Sequence, residues 1–294
     1  MNIAFIGIGV MGGPMAGHIA KAGHDVRVYN RSHEKAANWL QQYPGEIAAT
    51  PAEAAQGADI VISCIGNDDD LYEVTIGEHG AFQTMTEGTI FIDHSTTSAE
   101  CAQKVAKAGL EKNIAFLDAP VSGGEAGAVN GALTIMLGGD KAAYQKAIPI
   151  LNCYAKAHRL MGPVGAGQKT KMVNQIAIAG LVQGLSEALN FARCAGLDEM
   201  AVIDVISKGA AQSWQMDNRH ATMIAGEFSF GFAVDLMRKD LGIVFKEAEA
   251  NGAPLPVTQL VDDFYEQVQE LGGNRWDTSS LIEVLRKTTD ENKN

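Results

Sequence analysis

A Gly-x-Gly-x-x-Gly spacing, Gly7-Ile8-Gly9-Val10-Met11-Gly12, follows the apolar run Asn2 to Ile6, which is too short for a helix and reads as a buried strand. Pro14 to Ala22 then has helical patterning that stops at Gly23. At such a strand-to-helix turn Gly7 permits the tight bend, Gly9 lets backbone approach a pyrophosphate, and Gly12 lets the helix pack against the strand. The helix N-terminus then faces the phosphates. The competing reading is an ordinary glycine turn. A second strand, Asp25 to Asn30, completes the context that favours a dinucleotide site.

The residue that reads the adenosine ribose is expected at the end of that second strand. An NAD site usually has a carboxylate there, which accepts from the ribose hydroxyls and repels a 2′-phosphate. This chain has Asn30-Arg31-Ser32, with no carboxylate until Glu34. A guanidinium and two small polar groups attract a 2′-phosphate instead, so NADP(H) is preferred and NAD(H) remains possible. The bland alternative for Arg31 is a solvated loop charge.

From Met1 to about Gly162 short apolar runs alternate with helical ones. Ile3–Ile6, Asp25–Tyr29, Ile60–Ile65, Thr89–Asp93, Ala115–Ala119 and Thr134–Leu137 are strand candidates, and His33–Gln42 and Ala99–Lys112 are helix candidates. The alternation predicts an α/β domain, a Rossmann doubly wound sheet with helices on both faces. After Gly165-Ala166-Gly167 the pattern becomes helical throughout, beginning with one long run, Lys169 to Ala195. The expected organisation is a dinucleotide-binding domain, 1–163, and an all-α domain, 164–294, linked by a long helix. The chain's 294 residues, 46% of them hydrophobic, suffice for two modest cores.

A net charge of -12 disfavours nucleic acid and anionic membrane as partners. No apolar run is long enough to span a bilayer, and the glycine-broken N-terminus lacks the basic leader of a signal peptide. Cys64, Cys101, Cys153 and Cys194 lie far apart without metal-ligand spacing, so no metal is expected. They read as reduced, mostly buried thiols of a cytoplasmic protein. The tail Thr288 to Asn294 reads as disordered.

Three further constellations carry polar chemistry. Asp118-Ala119-Pro120-Val121-Ser122-Gly123-Gly124 follows a strand, and its glycine amides and Ser122 hydroxyl can cradle a carboxylate, although a generic turn has the same composition. Lys171, Asn174 and Gln175 share one helical face, where Lys171 is either a snorkelling surface residue or a proton donor. Asp235 to Leu241 by itself reads as a solvated helical face.

Gly7 to Ile19, Asp93-His94-Ser95-Thr96, Asp118 to Gly124, Gly167 to Asn174 and Lys239-Asp240-Leu241, in this order, resemble the β-hydroxyacid dehydrogenase family, over nearly the whole chain. The resemblance implies reversible hydride transfer between NAD(P) and a short 3-hydroxy acid or its semialdehyde, a small carboxylate-bearing substrate, and a homodimer or homotetramer. It implies that Lys171 is the general acid and base and that Ser122, Gly123 and Gly124 hold the carboxylate. Thr96, Lys239 and Asn67, with Ile65 and Gly66 beside it, match cofactor-contacting positions. Many members have Asn four residues after the lysine; here that position is Gln175, with Asn174 before it, so either amide can orient the substrate. The rival readings are an imine reductase, which usually carries Asp or Tyr in place of the lysine, and a non-catalytic dinucleotide-binding protein.

Overall fold

The computed structural model describes residues 1–291, with side chains as far as Thr289. It divides into two compact units, Met1–Lys171 and a second beginning at Met172. The first unit holds the strands: β1 (Asn2–Ile6), β2 (Asp25–Tyr29), β3 (Glu46–Ile47), β4 (Ile60–Ser63), β5 (Ile90–Asp93), β6 (Ala115–Asp118), β7 (Val121–Ser122), β8 (Leu133–Gly139) and β9 (Ala155–Gly162). Its helices are α1 (Gly12–Lys21), α2 (His33–Leu40), α3 (Pro51–Ala55), α4 (Asp68–Ile76), α5 (Ala99–Leu110), α6 (Gly124–Val129) and α7 (Lys141–Leu151). Then comes α8 (Ala166–Cys194), the 29-residue helix within which the units divide. The second unit adds α9 (Glu199–Ile206), α10 (Trp214–Ala225), α11 (Val234–Asn251), α12 (Pro256–Glu270) and α13 (Leu281–Glu291).

The sheet order is β3-β2-β1-β4-β5-β6-β8-β7, with β9 on β8. Strands β1 to β6 are parallel, and the chain reverses its direction of winding between β1 and β4, where ligands bind in sheets of this kind. The register pairs Ile6 with Ser63, Ser63 with Asp93 and Asp93 with Asp118, so the carboxyl ends of four strands lie level.

Alternation along the strands feeds two apolar layers. Ile3, Phe5, Ile60, Ile62 and Leu117 pack into one, while Ala4, Ile6, Val61, Phe91 and Phe116 pack into the other. Strands buried on both faces need continuous apolar runs, which is what made them legible. In the second unit α8 supplies Ala179 and Val182 to a cluster with Met237 and Tyr265, and Leu185 and Leu189 to another with Ile203 and Phe228. There the described residues contain only an isolated bridge, Ala233 to Asp277.

Three strands were not foreseen. The edge strand β9, Ala-Lys-Ala-His-Arg-Leu-Met-Gly, is half exposed and has no apolar face to signal it, and β3 and β7 are two residues each. The C-terminal tail also corrects the expectation: Thr288 and Thr289 lie in α13 and donate to the carbonyls of Val284 and Leu285, while residues 292–294 lie outside the described part. None of the four cysteines is in a disulfide, but only Cys101 is fully buried and Cys194 is exposed. Among the described residues no helix is long and apolar enough to cross a membrane.

Candidate active site

The glycine turn has the geometry its spacing demands. Gly7 has φ +98°, and a Cβ on it would collide with the carbonyl of Cys64. A Cβ on Gly12 would strike the Gly7 carbonyl, so helix and turn are in backbone contact. Around Gly9 nothing lies within 4 Å of the Cβ position. Helix α1 follows its N-cap residue Met11 without a capping side chain, leaving its N-terminal dipole available to an anion. These features fit a dinucleotide pyrophosphate at Ile8, Gly9, Val10 and Met11.

At the end of β2 the three polar residues do different things. The Asn30 side chain accepts from Ile8 N–H at 2.9 Å and donates to Ser32 O at 3.0 Å, which ties the β2 end to the glycine turn. Ser32 precedes α2 without capping it through its hydroxyl. Arg31 is exposed and pairs with Asp70 at 3.2 Å, from the first turn of α4. A carboxylate therefore does lie near the ribose-reading position, supplied from another part of the chain.

After β4, Ile65 N–H donates to Ser95 Oγ at 2.9 Å, and Asn67 accepts from Asp70 N–H as the N-cap of α4. Gly66 is exposed; a Cβ there would press on the Asp70 carboxylate. After β5, Asp93 is fully buried, accepts from Ser63 and Ser95, and has no protein partner at Oδ2. Burial pushes its pKa up to about 6. Next to it His94 lies 2.6 Å from Ala119 O through Nδ1. A carbonyl only accepts, so Nδ1 carries the proton and Nε2 accepts from Tyr154 OH at 2.8 Å. Burial holds His94 neutral, its pKa lowered to about 4. Thr96 is half-buried in the loop that follows.

The turn after β6 places Ser122 in β7, paired with Thr134, and gives Gly123 and Gly124 φ values of +130° and +60°. Side chains rarely adopt such angles, and both glycines are exposed with no atom within 4 Å of the Gly124 Cβ position, so this backbone can receive an anion. On α8, Lys171 is 7% exposed.

In the second unit Gln175 is buried and spends its amide on Asp240: Nε2 donates to Oδ2 at 2.7 Å. Its Oε1 accepts from Asn174 Nδ2 at 2.8 Å, and Asn174 is half-buried. Lys239 is partly exposed on α11 and pairs with the other oxygen of Asp240 at 3.0 Å. Trp214 and Phe230 flank the Arg219 guanidinium at 4.9 and 5.1 Å, and Arg219 pairs with buried Asp277.

Two residues near the cofactor turn escaped sequence reasoning. Lys35, in the first turn of α2, lines a cavity with Ile8, Gly9 and Val10. Asp70 carried no local signal, since it lies 39 residues from Arg31.

Residues 2–166 match the model of the NAD binding domain of 6-phosphogluconate dehydrogenase, and residues 165–285 match that of the NAD-binding region of NADP-dependent 3-hydroxyisobutyrate dehydrogenase. An uncharacterized oxidoreductase of Shewanella frigidimarina is 60% identical, over 98% of this chain and 99% of its own. The 2-hydroxy-3-oxopropionate reductase of Escherichia coli K12 is 33% identical, over 97% of both chains. The structure of Mycobacterium tuberculosis 3-hydroxyisobutyrate dehydrogenase with L-serine superposes with a TM-score of 0.86 at 30% identity, over 97% of this chain and 98% of that one. Matched end to end by such relatives and carrying their dinucleotide turn, the chain belongs to the β-hydroxyacid dehydrogenase family of NAD(P)-dependent oxidoreductases.

Proposed function

We propose that the protein interconverts a short 3-hydroxy acid and its semialdehyde with a preference for NADP(H), using Lys171 as general acid and base. The observation that carries this reading is the burial of Lys171 on α8. A snorkelling lysine keeps its ammonium in water, whereas Lys171 is buried, which supports the proton-donor reading over that of a surface charge. The names of two relatives, a 2-hydroxy-3-oxopropionate reductase and a 3-hydroxyisobutyrate dehydrogenase, support a small carboxylate-bearing substrate.

The dinucleotide, when bound, supplies or accepts the hydride; Gly7, Gly9 and Gly12 shape its pyrophosphate site. Reduction of an aldehyde leaves negative charge on its oxygen, and Lys171 donates the proton that neutralises it. Asn174 lies one turn farther along α8, and it aligns that oxygen, because Gln175 is spent on Asp240. Ser122, with the amides of Gly123 and Gly124, binds the carboxylate. Thr96, Ile65, Gly66 and Asn67 border the cofactor, and the assignment of Lys239 to it rests on the family resemblance. Exposed Phe191, Leu197 and Val205 support a homodimer or homotetramer. The acidic balance and the four cysteines outside any disulfide fit a cytoplasmic enzyme.

The test is a panel of C3 to C5 semialdehydes, each beside its carboxamide analogue, with wild-type enzyme and Lys171→Ala. Loss of Lys171 is expected to lower kcat by 10² to 10⁴ while cofactor binding persists. The carboxamides should react at least a hundredfold less efficiently than the acids, since charge-assisted hydrogen bonds contribute about 1.5–3 kcal/mol each. A lysine variant within threefold of wild type, or equal rates for acid and amide, refutes the reading.

A further inference from the structure

The Gly165-Ala166-Gly167 sequence that opens α8 has a structural purpose that no part of the reaction described above uses. Asp118, at the end of β6, is fully buried, and its carboxylate is bound by α8 itself. Oδ1 accepts from Gly165 N–H at 2.8 Å and Oδ2 from Gln168 N–H at 2.9 Å. A side chain from a different strand thus caps the long helix and meets the positive end of its dipole. The contact is intimate enough to exclude a methyl group. A Cβ on Gly167 would strike Met136 O and the carboxylate and carbonyl of Asp118, and one on Gly138 would strike Asp118, Pro163 O and Gly167 N.

Gln168 adds a second, orthogonal tie. It is fully buried; Nε2 donates to Ser95 O at 2.8 Å, and Oε1 accepts from Thr97 N–H at 3.2 Å. These two backbone groups bracket Thr96. Asp118 therefore sets the start of α8 along its axis, and Gln168 sets its rotation against the loop after β5. Lys171 follows Gln168 by three residues, hence on the same helical face.

We propose that Gln168 is a positioning residue for Lys171: with Asp118 as the cap, it holds α8 in one register against the Thr96 loop, so that the lysine ammonium is presented to the reacting oxygen. The role rests on the reading of Lys171 as proton donor. An error of about 1 Å in placing a reacting group can cost a hundredfold in rate, so loss of the two Gln168 bonds acts on turnover more than on affinity.

Gln168→Met keeps the length of the side chain and removes both bonds. With NADPH and the best semialdehyde of the panel, kcat per cofactor-binding site should fall at least tenfold, with KM for both substrates within threefold. The isotope effect on kcat with 4-deuterated NADPH should rise, as hydride and proton transfer become more rate-limiting. A residue that only stabilises the fold would lower the melting temperature and leave both quantities unchanged, and that result overturns the proposal. If Gln168→Met does not fold, Gln168→Glu, which keeps the acceptor for Thr97 and replaces the donor to Ser95, is read by the same two criteria. Lys171→Ala measured in parallel separates the failures. Near wild-type turnover there removes the proton-donor reading; an inactive Lys171→Ala beside an unaltered Gln168 variant removes the positioning role alone.

Discussion

Arg31 and Asp70 meet at 3.2 Å across the mouth of the cofactor turn, one from the end of β2 and the other from the first turn of α4. Arg31 is 81% exposed, so the pair contributes little, on the order of 0–1 kcal/mol, and can be traded for a 2′-phosphate. If a 2′-phosphate docks on Arg31, as the proposed NADP(H) preference requires, Asp70 is expected to act as a brake, since it occupies the guanidinium and adds a negative charge next to it. In Asp70→Asn the KM for NADPH is expected to fall roughly two- to fivefold, the equivalent of that pair, with the KM for NADH within twofold. Arg31→Asp should reverse the preference. Steady-state kinetics with both cofactors decide, and an NADPH preference unchanged or weakened in Asp70→Asn contradicts the argument.

Gln175 and Asn174 should separate by the kind of damage their loss causes. Gln175→Leu leaves the buried Asp240 carboxylate without its amide donor, a loss of about 1–3 kcal/mol that lowers the melting temperature by several degrees. Asn174→Ala should leave the melting temperature within about 2 °C of wild type and lower kcat at least tenfold. Thermal unfolding and kcat on the same preparations test both, and the reverse pattern would make Gln175 the aligning amide.

Asp93 and His94 are adjacent, both buried, and oppose each other in acid. The Asp93 pKa of about 6 lies above the ordinary 3.8, so burying it as a carboxylate costs stability above pH 6, and the cost disappears as pH falls toward 4. The His94 pKa of about 4 lies below the ordinary 6.5, so its neutral form stabilises the fold above pH 6.5 and the benefit is lost as pH falls toward 4. Each shift is worth on the order of 3 kcal/mol and the two nearly offset. Asp93→Asn removes only the first. Between pH 7 and 4.5 its melting temperature should drop roughly 5–10 °C more than that of wild type. Parallel curves for the two proteins would show that Asp93 does not carry the raised pKa.

What the sequence determined by itself is local. The glycine spacing, the doubly buried strands and the helical periodicity of α8 each arise from residues within a few positions of one another, and each is a pattern the backbone imposes on its neighbours. The candidate site was legible to the same depth: Lys171 and Asn174 on one face, and two glycines at positive φ after Ser122. The edge strand β9 was not legible, because a half-exposed strand need not repeat apolar residues. Only the tertiary structure decided which polar groups are committed. Asp70 reaches Arg31 over 39 residues, Asp118 caps Gln168 over 50, and Asp240 takes the amide of Gln175 over 65. A buried carboxylate must find donors wherever the fold brings them, and no periodicity in the chain encodes that partner.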